Sequence, residues 1–136
     1  MAIILDGKML RDKIFESLKA KLDKMQQKPT LAVILVGENP ASQIYVRNKK
    51  KTAEKLGINS LSIEYPSDIS EKELLNKIKE LNSYREEHKL DYEIEADGGI
   101  KVENSDKIID AGADILVAGT AIINSKDYAE TIKKLR

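Results

Sequence analysis

Residues Leu31-Ala32-Val33-Ile34-Leu35-Val36 form an unbroken apolar run, closed by Gly37 and followed at once by Asn39-Pro40. A β-branched and leucine run of this kind is expected for a strand buried on both faces, as in a parallel sheet. Asn suits a helix N-cap and Pro the first helical position, so the chain is expected to pass straight from strand to helix. That passage recurs along the sequence, and strands alternating with helices are the pattern of parallel α/β architecture.

Leu10, Ile14, Leu18 and Leu22 recur every four residues and predict a first amphipathic helix over about 8–26, broken by Pro29. The helix begun at Pro40 should run to Leu56, where Gly57 can supply the left-handed closing residue. Leu61 to Tyr65 reads as a second strand. Ser70 and Glu73 have capping-box spacing and open a third helix with Leu74, Leu75, Ile78 and Leu81 on one face. Asn82 to Leu90 has neither Pro nor Gly and should extend that helix. Tyr92 to Ala96 and Ile115 to Ala118 read as third and fourth strands, with helices at about 104–111 and 126–135. No flexible linker separates these elements, so one domain over residues 1–136 is expected. Four parallel strands cannot close a barrel, which needs about eight. An open three-layer α/β/α sandwich follows, its four-stranded parallel sheet in the flavodoxin-like order 2-1-3-4 with the first and third strands central. The other arrangement is an arc of order 1-2-3-4.

Composition narrows the function classes. Lys plus Arg equals Asp plus Glu at 23 each, which argues against a nucleic-acid footprint. There is no cysteine, hence neither a disulfide framework nor a thiolate metal site. No apolar run approaches the roughly 20 residues that cross a bilayer. The N-terminus lacks a secretion pattern, and a cytoplasmic, soluble protein is expected.

Two groups of residues can carry chemistry. Asp97-Gly98-Gly99 and Gly119-Thr120-Ala121 each fall at the C-terminal end of an expected strand. Glycines let a backbone approach a ligand, and free N–H groups favour an anion. The same glycines would also serve as tight strand-to-helix turns. Tyr45 and Lys49 share one helical face by their i, i+4 spacing, with Ser42 one turn earlier. Alternatively, Lys49, Lys50, Lys51 and Lys55 form a solvated helix face and Tyr45 packs half-buried. His88 reads as a solvated residue, and Tyr65, Tyr84, Tyr92 and Tyr128 as scattered rather than a stacking platform.

The two halves resemble different enzyme families. Ile4-Leu5-Asp6-Gly7-Lys8, Leu31 to Gly37, Asn39-Pro40-Ala41-Ser42 and Tyr45-Val46-Arg47-Asn48-Lys49 resemble the start of the bifunctional methylenetetrahydrofolate dehydrogenase/cyclohydrolase family, over about 1–82. Glu93 to Ile100, Ala111-Gly112-Ala113-Asp114 and Val117 to Ile122 resemble the end of ribulose-phosphate 3-epimerase, a (β/α)8 barrel, over about 85–136. The first resemblance implies that Lys49 stands at a catalytic lysine and Tyr45 at a residue that orients folate. The second implies phosphate binding by Gly98, Gly99, Gly119, Thr120 and Ala121, and places Asp97 at a proton-transferring acid. Epimerisation needs a second acid on the opposite face and a metal held partly by histidines. The folate steps need glutamine and aspartate partners on later segments and a nicotinamide-binding domain. Their absence implies an engineered fold chimera without turnover, with Asp97, Lys49 and Tyr45 as relics, no cofactor or metal, and weak phosphate or sulfate binding retained. The other functional readings are a phosphosugar epimerase or isomerase using Asp97, and a folate-binding module using Tyr45 and Lys49.

Overall fold

The computed structural model describes residues 4–136, which divide into two compact units on either side of the step from Ile69 to Ser70. No described helix is long and apolar enough to cross a membrane.

In the first unit, helix α1 (Gly7–Asp23) is capped by Asp6, whose carboxylate accepts from the N–H groups of Lys8 and Met9. Strand β1 spans Thr30–Val36, helix α2 Pro40–Leu56 and strand β2 Asn59–Tyr65. Asn39 caps α2 through the N–H groups of Ala41 and Ser42, and Gly57 closes it at φ 76°. Both ends therefore follow the local signals in the sequence. β1 and β2 pair in parallel, with Val33 opposite Ser62 and Ile34 opposite Ile63. α2 packs on both strands.

The second unit opens with α3 (Glu71–His88), where Ser70 and Glu73 form the reciprocal capping box. The helix continues through Asn82 to His88, as the absence of Pro and Gly predicts. Strand β3 is Glu95–Asp97, α4 is Val102–Asp110 and β4 is Ile115–Val117. Two helices end the chain, α5 (Gly119–Ile123) and α6 (Tyr128–Lys134). β3 and β4 are parallel, with Ala96 opposite Leu116. A core of Ile100, Ala118 and Leu135 gathers Ala96, Val102, Ile108, Leu116, Ala121 and Ile122 around it.

The α/β alternation and the parallel pairings match expectation, but the strands form two two-stranded sheets in place of one four-stranded sheet of order 2-1-3-4. β3 is shorter than expected, and a strand of three residues offers few ladder bonds to a further neighbour. Its expected start is pinned by side chains. Arg85 donates to the Tyr92 carbonyl, and Asp114 accepts from the Ile94 N–H. Nor is β1 buried on both faces. No residue of Thr30–Val36 is fully buried, because β1 has a single strand neighbour instead of the central place expected.

Candidate functional site: a glycine-rimmed cleft

The C-terminal ends of β3 and β4 open into a cleft of about 740 Å³ within the second unit. Parallel pairing of two adjacent strands carries both following loops to one edge, so residues about twenty apart in sequence share one rim. Asp97, Gly98, Gly99, Gly119, Thr120 and Ala121 all line it, together with Ile100, Lys101, Glu103, Asn124 and Thr131.

The rim is rich in unused backbone donors. Gly98 and Gly99 take φ of 110° and 66°, the region where a side chain is strained. Among the described residues, the N–H groups of Gly99 and Ile100 have no acceptor in the protein. Gly119, Thr120 and Ala121 begin α5, and the first N–H groups of a helix have no carbonyl of their own helix to bond. Beneath the rim, Ile100 and Ala118 are buried in the core and anchor one loop each. Charge is mixed: Asp97 and Glu103 line the cleft, with Lys101 as the cation. The donors suit an anion, and the carboxylates weaken its attraction.

Lys49 and Tyr45 lie in the first unit. The Lys49 ammonium is 4.6 Å from the centre of the Tyr45 ring, a cation–π contact. Their predicted shared face is therefore real, and Tyr45 stays 54% exposed, more open than a half-buried packing residue. Asn39 spends its side-chain oxygen on capping α2, in hydrogen bonds to Ala41 and Ser42. His88 is exposed at the end of α3, outside the cleft lining, and stacks on Tyr84 with ring centres 4.0 Å apart. That contact joins i, i+4 neighbours on one helix. Among the described residues, no three of His, Cys, Asp and Glu gather as metal ligands.

Sequence reasoning missed Lys101, Asn104 and Asn124. Lys101 and Asn124 line the cleft, and Asn104 bonds the loop behind it. No local signal marked Asn104, since the helix was expected to begin near 104 and the capping pattern places Glu or Gln three residues after the N-cap.

Comparison with known proteins finds the same two families, over segments that overlap. The profile of the tetrahydrofolate dehydrogenase/cyclohydrolase catalytic domain matches residues 5–90, and that of the ribulose-phosphate 3 epimerase family matches residues 70–123. The bifunctional protein FolD of Aquifex aeolicus is 52% identical over 90 residues, covering 63% of this chain and 31% of the relative. The FolD of Nitrosomonas europaea is 41% identical over 117 residues, covering 84% and 40%. Among solved structures, a 5,10-methylenetetrahydrofolate dehydrogenase from the silkworm Bombyx mori superposes with a TM-score of 0.56 at 45% identity, covering 60% of this chain and 30% of that one. FolD from Campylobacter jejuni gives 0.54 at 48% identity, covering 59% and 29%. The chain thus spans about a third of the length of these relatives. The two profiles overlap over residues 70–90, which hold α3. The chain belongs to the tetrahydrofolate dehydrogenase/cyclohydrolase family and carries a ribulose-phosphate 3-epimerase segment joined to it through α3.

Proposed function

We propose that this chain is an engineered chimera of two enzyme segments whose remaining chemistry is weak binding of phosphate or sulfate in the cleft, without catalytic turnover. The observation that carries the reading is the set of N–H groups of Gly99 and Ile100 and from Gly119 to Ala121 on the rim of one cleft. Backbone donors of this kind hold an anion without needing a cationic side chain. Lys101 and the Thr120 hydroxyl add to them. Asp97 and Glu103 oppose the anion, which sets the affinity on the order of millimolar, near 4 kcal/mol.

For Asp97, the reading without turnover rests on the cleft lining, which includes Glu103 but no histidine to hold a metal. We place the protein in the cytoplasm, as the lack of cysteine suits a reducing compartment.

The test is a phosphate titration followed by amide chemical shifts. Saturable shifts confined to Gly98–Ile100 and Gly119–Ala121 are expected. No saturable shift there up to tens of millimolar phosphate, roughly tenfold beyond the expected constant, would leave these glycines as turn residues only.

A further inference from the structure

We propose that Asn104 is the positioning residue of the anion loop, holding the Gly99–Ile100 peptide with its N–H toward the cleft. The role rests on the anion reading above. Asn104 lies in the first turn of α4 and makes two hydrogen bonds of opposite sense. Its Nδ2 donates to the Gly99 carbonyl at 3.0 Å, and its Oδ1 accepts from the Lys101 N–H at 2.8 Å. Only an amide side chain offers a donor and an acceptor side by side in this way.

The consequence follows from peptide planarity. In a trans peptide the carbonyl and the following N–H point in opposite directions. Gly99 and Ile100 line the cleft and Asn104 does not. Drawing the Gly99 carbonyl toward Asn104 therefore turns the Ile100 N–H the other way, where it meets no acceptor in the protein. The choice of orientation needs fixing because Gly98 and Gly99 both have positive φ and no side chain to resist rotation of this peptide. A flipped peptide would aim the Gly99 oxygen at the anion and withdraw one donor. The second bond, to Lys101, fixes the residue after the turn, so one side chain brackets Ile100 from both sides. Ile100 itself is anchored in the core, which leaves the peptide orientation as the remaining freedom.

Asn104→Ala should keep the fold and weaken phosphate binding at least tenfold, about 1.4 kcal/mol. The Ile100 amide should drop out of the set that shifts with phosphate, while Gly119 to Ala121 still respond. The heteronuclear NOE of Gly99 and Ile100 should fall, a change that mere loss of stability elsewhere would not localise there. Should Asn104→Ala fail to fold, Asn104→Asp keeps the acceptor for Lys101 and loses only the donor to Gly99. Its added charge disturbs anion affinity, so it is read by the heteronuclear NOE, with Ile100 loosened and Lys101 unchanged. Wild-type affinity together with an unchanged loop NOE in Asn104→Ala would overturn the role and leave the anion site standing. No binding to the wild-type protein would overturn the anion site, and this role with it.

Discussion

Gly112 shows how much one residue can constrain. Its φ is 108°, and a Cβ there would lie 2.5 Å from both Cβ and Cγ of Asn82. Strain and collision act together, so Gly112→Ala should destabilise the protein by about 2–3 kcal/mol, read from the urea midpoint. The sequence showed Gly112 as a helix stop; its contact with Asn82, thirty positions away, was not visible. Ser60 and Ser62 present the opposite case. Their hydroxyl oxygens are buried without a hydrogen-bond partner, while Leu61 and Ile63 between and beside them are 52% and 38% exposed. A period-2 reading would turn the apolar pair inward, yet the half-buried face of this sheet carries Leu31, Val33 and Leu35 beside the serines. An unsatisfied hydroxyl is costly, so Ser62→Ala should raise stability by about 1 kcal/mol, seen as a higher urea midpoint. At the cleft, Gly98, Gly99, Gly119, Thr120 and Ala121 stood out in the sequence because glycine after a strand is a local signal. Asn104 did not, because its part depends on which carbonyl it meets.

Among the elements, the helices and the parallel pairs β1–β2 and β3–β4 were legible, and the joining of those pairs into one sheet was not. Asn39, Pro40, Gly57, Ser70 and Glu73 act within a few residues of themselves, and each marks the helix end it should. α5 went unseen because Gly119-Thr120-Ala121 reads as a turn and the helix is a single short segment. The start of β3 depends on a distant clip. Arg85 on α3 donates to Asp114, to the Tyr92 carbonyl and to the Asn82 side chain, while Asp114 also accepts from Ile94. The Arg85 hydrogen bond, then that of the Ile94 N–H, hold the Asp114 carboxyl below its ordinary 3.8. A carboxylate whose folded pKa is depressed stabilises the fold fully above its unfolded value. That contribution is lost as pH falls through the folded pKa. Asp114→Asn should therefore lower the urea midpoint near pH 7, and lower it less near pH 3, where the carboxyl of the unfolded chain takes up a proton and part of the contribution is gone. An equal loss at both pH values would mean that the charge of Asp114 plays no part.

At the scale of the whole molecule, the division into two units raises the question of cooperativity. Among the described residues the buried apolar ones are few, with Leu22, Ala53 and Leu56 in the first unit and Ile94, Ile100, Ala111, Ala113, Ala118 and Leu135 in the second. Segments of this size bury too little surface to be robust alone. The family profile that describes the first unit runs on through α3, which packs within the second. We therefore expect one domain energetically, with a single urea transition seen alike by circular dichroism and tyrosine fluorescence. Two separated transitions would show independent halves. The sheet order was the least legible feature, since parallel pairing is decided by residues far apart and no local motif encodes it. Function depends on whether the joined segments still move a proton or only hold an anion. The most direct measurement is solvent deuterium exchange into ribulose 5-phosphate, followed by proton NMR in the presence of a divalent metal. A chain that only binds the phosphate should leave the substrate protons at the buffer rate. Exchange and epimer formation that vanish in Asp97→Asn would contradict this and make Asp97 a working acid.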